Sequence, residues 1–192
     1  MTVTHLTGGT HGAADDATLA AAAKGDYAAF DALYRRYVTR VYRYCYIQCG
    51  NEQDAEDLTA QTFLAALESI GRYRERGAFA AWLFTIARRK CHDYHRGHYR
   101  HPQEGLEELA GRPNAQAPDP ERHSLHATVL ECVKRRLPQL SADRQEVVRL
   151  RYWAGLSTAE TAAVMRRSKS AVKMLLLRAI DDLRERCLDE DE

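Results

Sequence analysis

The sequence predicts an all-α protein: two small helical domains joined by a flexible acidic linker. Three observations carry that prediction. Apolar residues recur at three- to four-residue spacing through most of the chain, the period of an amphipathic helix. No stretch alternates apolar and polar residues at the period of a strand. Between two helical blocks the periodicity gives way to His101-Pro-Gln-Glu-Gly and Gly-Arg-Pro-Asn-Ala-Gln-Ala-Pro-Asp-Pro120, which are turn and linker compositions. A length of 192 residues suits one or two domains.

Residues 1–14 are rich in Gly, Thr and Ala without an apolar period, and read as a disordered N-terminus. Asp15 and Asp16 favour a helix start, and Leu19, Ala22 and Ala23 lead to Gly25. Asp26 caps a second helix. It carries Phe30, Leu33, Tyr34, Tyr37, Val41, Tyr44 and Gln48 as one stripe, and Gly50-Asn51 ends it. Asn51, with Asp54 three residues on, opens a third helix through Leu58, Phe63, Leu64 and Leu67 to about Ile70. Gly71 to Gly77 reads as a basic loop. Ala78 to about His95 is a fourth helix with Phe79, Trp82, Leu83, Ile86 and Ala87 inward, and Gly97 is expected to break it.

The first domain is therefore residues 15–100 and the linker 101–121. Glu104, Glu107, Glu108 and Asp119 against Arg112 make the linker acidic. The second domain covers 122–187. Leu125, Val129, Cys132, Val133 and Leu137 form one apolar face, and Leu-Pro-Gln-Leu-Ser141 stops that helix and caps the next. Val147, Val148, Leu150 and Trp153 follow, ended by Gly155. An acidic tail occupies 188–192.

The composition is that of an ordinary globular protein, 45% hydrophobic and 29% charged. No run is long and apolar enough to span a bilayer, and no basic segment followed by an apolar core opens the chain. The cytoplasm is the expected compartment, and the five cysteines read as free thiols. A net charge of +1 hides a segregated distribution. Arg72 to Arg100 holds eight Lys/Arg against Glu75 and Asp93, and Arg166 to Arg178 holds five with no acid. Acids around Glu52–Asp57, in the linker and in the tail offset them. Segregation of this kind points to two anion-binding faces.

The stretch Leu156 to Arg178 reads as two short helices joined by a tight turn, the layout of a helix-turn-helix that lays its second helix in the DNA major groove. Ser157 with Glu160 fits a capping box. Ala162 is small where two helices pack closely, and Val172 and Leu175 recur at burying spacing. Ser168 caps the second helix. Lys169, Ser170 and Lys173 then fall on its first turns, which meet bases or phosphates. A plain helical hairpin would explain the apolar register but not the basic block. The Arg72–Arg100 block interleaves its cations with Tyr73, Phe79, Trp82, Phe84, Tyr94 and Tyr99. Rings stack on unpaired bases while cations follow the backbone. Phe79 and Trp82 read as core residues, whereas Tyr73 reads as a ring available to a base.

These segments resemble a known family. Gly25-Asp-Tyr-Ala-Ala-Phe-Asp-Ala-Leu-Tyr-Arg-Arg-Tyr37, Asp54-Ala-Glu-Asp-Leu-Thr-Ala-Gln-Thr-Phe63 and Ala81-Trp-Leu-Phe-Thr-Ile-Ala-Arg88 are similar to region 2 of bacterial extracytoplasmic-function (group 4) sigma factors, in the sigma-70 family. Leu137-Pro-Gln-Leu-Ser and the helix-turn-helix resemble their region 4. The resemblance covers about 16–100 and 122–186, in the family's order. It implies a promoter-specificity subunit of RNA polymerase that performs no covalent chemistry and holds no cofactor or metal. The implied partners are core polymerase (β′ clamp helices and β flap), promoter DNA both duplex and melted, and an anti-sigma factor. By the same resemblance, Asp54, Asp57, Leu58, Gln61, Thr62 and Phe63 face polymerase. Arg72, Tyr73, Arg74, Arg76, Arg88, Arg89, Lys90 and Arg96 melt and hold the −10 element. Arg167, Ser168, Lys169, Ser170, Lys173 and Arg178 read the −35 element, and the acidic linker threads toward the active-centre cleft.

Three positions depart from the family pattern. Arg166-Arg167 replaces a Gly followed by an apolar residue in the turn, Met174-Leu175 replaces a Ser-Arg pair after Lys173, and Arg89 stands where Asn is common. Two other classes compete. A stand-alone operator-binding regulator would need the helix-turn-helix but not the Asp54–Phe63 segment. A metalloenzyme would use Cys91, Asp93, His95, His98 and His101. Cys91 and His95 share a helical face, but paired Cys-x2-Cys spacing is lacking. Cys45 and Cys49 lie one turn apart, and Cys45 reads as a core residue.

Overall fold

A computed structural model describes residues 11–74, 78–100 and 130–188. Every regular element among them is helical. The first region comprises α1 (His11–Ala22), α2 (Tyr27–Cys49), α3 (Glu52–Ser69), a 3₁₀ turn (Ile70–Arg72) and α4 (Phe79–Arg100). The second comprises α5 (residues 130–136), a 3₁₀ turn (Leu137–Gln139), α6 (Ala142–Val148), a π-helical turn (Arg149–Trp153), α7 (Thr158–Met165) and α8 (Lys169–Leu188). The linker 101–121, Arg76, and the tail beyond residue 188 lie outside the described residues, as do Leu125 and Val129.

Local chemistry sets the boundaries of α2 and α3. The Asp26 carboxylate accepts from the Ala28 N–H at 2.8 Å and starts α2. Gly50 adopts φ 82° and returns its N–H to the Tyr46 carbonyl, ending the helix in a left-handed turn that glycine tolerates. One residue later the Asn51 side chain accepts from the Asp54 N–H at 2.8 Å and opens α3.

Two boundaries differ from expectation. α1 begins at His11 and so includes the last residues of the expected disordered segment; Asp15 and Asp16 lie inside it rather than capping it. Tertiary contacts occupy both carboxylates in place of a cap. Asp16 is buried, accepts from the Tyr37 hydroxyl and pairs with Arg36, which also pairs with Asp15. α4 runs past Gly97 to Arg100. No neighbouring atom crowds the position where a Gly97 Cβ would sit, and glycine costs a helix only about 1 kcal/mol.

The cysteines also differ. Cys132 of α5 and Cys187 of α8 are joined in a disulfide, not free. Cys45 and Cys91 are buried thiols from α2 and α4, with sulfurs 3.9 Å apart.

The two regions share one continuous apolar core. Leu33, Val41, Tyr44, Leu83 and Phe84 of the first join Leu137, Val147, Leu150, Leu156, Val164 and Val172 of the second, each essentially inaccessible to water. The seam between them also carries polar groups. Tyr44 donates to Glu146 Oε1 at 2.8 Å, Gln48 donates to Glu146 Oε2 at 3.2 Å, and Arg88 Nε lies 3.2 Å from the same carboxylate. Arg40 donates to the carbonyls of Ala154 and Gly155 at 2.8 and 3.0 Å. Burial, then Glu146, pushes the Tyr44 hydroxyl well above its usual pKa, so it stays a donor. Gly155, at φ 63°, turns the chain from the π turn into α7.

Candidate nucleic-acid interface

Helix-turn-helix geometry is built residue by residue in the second region. The Ser157 hydroxyl accepts from the Glu160 N–H at 3.2 Å, and the Glu160 carboxylate accepts from the Ser157 N–H at 2.7 Å, a complete capping box for α7. At the other end Arg166 takes φ 53° and ψ 45°. Its N–H reaches the Ala163 carbonyl at 3.3 Å, and the Arg167 N–H reaches the Ala162 carbonyl at 3.0 Å. That double bond pattern is a Schellman motif, normally closed by glycine. Arg166 is the one non-glycine residue with positive φ among those described. The Ser168 hydroxyl then accepts from the Ala171 N–H at 3.1 Å and starts α8. Ala162 and Val172 are buried between the two helices.

α8 presents Lys169, Ser170, Lys173 and Arg178 to solvent. Met174 and Leu177 share that surface, 48% and 52% exposed. Arg167 is exposed but ion-paired with Asp143 of α6, and the Ser168 hydroxyl is spent on its cap. The outward α8 face thus offers three cations in the absence of Arg167.

The first region displays Arg72, Arg74, Arg89 and Arg96. Arg89 and Arg96 flank Asp93 at 3.8 and 3.6 Å, loose exposed pairs that contribute little. Lys90 is half-buried, and Arg88 is tied to Glu146. Tyr73 corrects an expectation. It is 3% exposed, packed against Trp82 and Phe79 with ring centroids at 5.1 and 5.7 Å, and so is not displayed to a base. Phe84, grouped with the basic block, is wholly buried edge-on to Tyr44.

Leu58, Thr62 and Phe63 of α3 are buried too. The Thr62 hydroxyl donates to the Leu58 carbonyl at 2.7 Å, and Phe63 meets Tyr34 edge-on at 4.8 Å. They hold the helix, leaving Asp57 and Gln61, one turn apart, on its outer face. Asp54 is occupied by the Tyr94 hydroxyl and the Asn51 side chain, each at 2.6 Å. Cys91 and His95 lie one turn apart on α4 as expected, but the Cys91 thiol is buried against Cys45. The His98 side chain and His101 lie outside the described residues. Among the described residues no group of three or more His, Cys, Asp or Glu could hold a metal ion, and no helix is long and apolar enough to cross a membrane.

Sequence reasoning places Tyr44 and Gln48 on the stripe of α2 but misses that, with Arg40, they join the two regions. Arg40, Tyr44 and Gln48 recur every four residues, a polar stripe on one face of α2. That spacing was the available signal, but the partners, Glu146 for Tyr44 and Gln48 and the Ala154 and Gly155 carbonyls for Arg40, lie about a hundred residues away.

Comparison with known proteins gives these surfaces a context. The family described as Sigma-70 region 2 matches residues 33–101, and that described as Sigma-70, region 4 matches residues 130–183. The chain belongs to the sigma-70 family of RNA polymerase sigma factors. Among its relatives is the ECF RNA polymerase sigma factor BldN of Streptomyces coelicolor. It is 41% identical over 175 residues, a match spanning 87% of this chain and 63% of BldN. The ECF sigma factor SigD of Mycobacterium tuberculosis is 33% identical over 175 residues, spanning 88% of this chain and 82% of SigD. This sigma factor also resembles CnrH, solved in complex with the cytosolic domain of CnrY, with TM-score 0.68 and 27% identity over 93% of this chain and 99% of CnrH. RpoE from Bartonella quintana, solved with the anti-sigma factor NepR, shares the fold at TM-score 0.66 and 24% identity, over 85% and 98% of the two chains. The first region thus carries the region 2 match, from within α2 through α4, and the second carries the region 4 match, from α5 into α8.

Proposed function

We propose that this sigma factor joins core RNA polymerase in the cytoplasm and directs it to promoters. α8 reads the −35 element as duplex, and region 2 melts and holds the −10 element. The observation that supports it most strongly is the pairing, in one chain of this family, of a basic α8 with a second basic surface on region 2. A helix-turn-helix alone needs only the first. Lys169, Lys173 and Arg178 contact phosphates or base edges in the major groove. The exposed Met174 and Leu177 favour apolar contact with thymine methyl groups over an added hydrogen bond. Arg72, Arg74, Arg76, Arg89 and Arg96 track the melted strand. Asp57 and Gln61 mark the polymerase-facing side of α3.

Sigma factors are transcription initiation factors rather than enzymes, so the work is binding and strand separation. CnrH and RpoE were solved with CnrY and the anti-sigma factor NepR. By likeness, this chain is also held by an anti-sigma factor. The binding step is tested by gel filtration with purified core polymerase. Wild type is expected to co-elute, and Asp57→Arg to lose at least several-fold in affinity. Equal co-elution of both proteins would remove α3 from the interface. No co-elution at all would favour a stand-alone operator binder.

A further inference from the structure

The Cys132–Cys187 disulfide lies outside every surface assigned above. It ties α5 to the last turn of α8 across a separation of 55 residues, with Cα atoms 6.0 Å apart. The loop it closes holds α6, the π turn, α7 and nearly all of α8, which is the whole helix-turn-helix. Cys132 is buried, and Cys187 is partly exposed. Both cysteines sit at helix ends on one seam, where Arg144 also pairs with Asp182 and Arg186 donates to the Gln139 side chain at 3.0 Å.

We propose that this bond is a reversible thiol–disulfide exchange site whose co-substrate is a dithiol reductant, and that its state sets the stability of region 4. The inference rests on the proposed work with polymerase, which places the chain in a reducing cytoplasm. Disulfides there are transient and redox-responsive. A thiolate of the dithiol attacks the accessible Cys187 sulfur. The S–S bond breaks, and Cys132 leaves as a thiolate and takes up a proton. The second thiol of the reductant then resolves the mixed disulfide, releasing Cys187 as a thiol and leaving the reductant oxidised to its own disulfide. The reverse reaction uses a disulfide-form dithiol as the two-electron oxidant.

The remaining cysteines are built differently. A hydrogen bond with Cys45 and burial hold the Cys91 thiol far above the usual range, and burial raises Cys49. The hydrogen bond from Cys91 instead lowers the Cys45 thiol, but both sulfurs are fully buried and closed to a dissolved dithiol, which leaves the partly exposed Cys187 as the point of attack. The Arg144–Asp182 and Arg186–Gln139 contacts keep the seam in register when the bond opens, which makes re-formation intramolecular. Opening it restores the conformational freedom of a long loop to the unfolded chain, so reduced region 4 melts earlier.

The test uses the full-length protein equilibrated with reduced or with oxidised dithiothreitol, alkylated without denaturant and mapped by mass spectrometry. The accessible Cys187 should alkylate after reduction, Cys132 should alkylate once that sample is then denatured, and both should be protected again on re-oxidation. The reduced protein should lose about 10 °C or more in the melting of region 4. The Cys132→Ser/Cys187→Ser double variant should melt like the reduced wild type in both buffers; should that variant fail to fold, the wild type under the two buffers still decides the matter. The proposal is overturned by alkylation of both cysteines in the oxidised sample, by resistance of the folded protein to dithiothreitol, or by equal melting in the two states. None of these readouts involves polymerase or DNA, so failure here is distinct from failure of the sigma reading.

Discussion

At φ 53° and ψ 45°, Arg166 occupies the left-handed region where a Cβ crowds the following carbonyl. The two Schellman hydrogen bonds hold it there, and the conformation costs about 1 kcal/mol relative to glycine. Arg166→Gly should therefore stabilise region 4 by about 1 kcal/mol, read as a raised urea midpoint with unchanged slope. A lowered midpoint would mean the guanidinium makes a contact worth more than the strain. Tyr73 carries the opposite kind of prediction. Packed between Phe79 and Trp82, its ring belongs to the core, and Tyr73→Ala should cost about 3 kcal/mol or more in stability. A stable variant with defective promoter melting would restore it to the DNA surface. Lys173 is exposed on the outward face of α8. On the proposed function, Lys173→Ala should weaken binding to −35 duplexes of any sequence and lower the slope of log K against log salt by about 1. An unchanged slope would exclude a phosphate contact at that position.

Helix boundaries set by local capping are the part of this fold most open to reading from sequence. Asp26, Gly50, Asn51, Ser157 and Ser168 each act within three or four residues of themselves, so spacing alone locates them. Ser157→Ala should remove one half of the capping box and destabilise region 4 by about 1 kcal/mol, measured by thermal unfolding. No change would show that α7 is held wholly by packing. Boundaries set by tertiary contacts were illegible. Asp16 lies inside α1 rather than capping it because it finds Tyr37 and Arg36 on another helix, and no local rule reports that. α4 passes Gly97 because a modest propensity cost is outweighed by its other residues. The Cys132–Cys187 pairing is illegible for the same reason, since spacing does not reveal which of five cysteines meet. On the basic surfaces, charge was readable and burial was not. A tyrosine, a leucine and a threonine beside exposed cations or acids turned inward at Tyr73, Leu58 and Thr62.

At the scale of the whole molecule, regions 2 and 4 close on one another around Glu146, where Tyr44, Gln48 and Arg88 converge. A compact chain of this length has a radius of gyration of about 16 Å. Elements centred near −35 and −10 are about 25 base pairs apart, or about 85 Å along B-DNA. On the proposed function the seam must therefore open before both elements are held, freeing Arg88. Its polar character suits that role, because Glu146, Arg88 and Arg40 regain water when it parts. Glu146→Ala should leave Arg88 and Tyr44 without their shared acceptor and enlarge the free protein by several ångströms in small-angle scattering. An unchanged radius and melting temperature would make the seam incidental. Run-off transcription with purified core polymerase on a library of promoter fragments tests the central claim most directly. The sigma reading predicts that the chain assembles with core and yields discrete transcripts from a subset of promoters sharing paired −35 and −10 elements. Absence of any promoter-specific transcript, with folded protein and active core in hand, would contradict it.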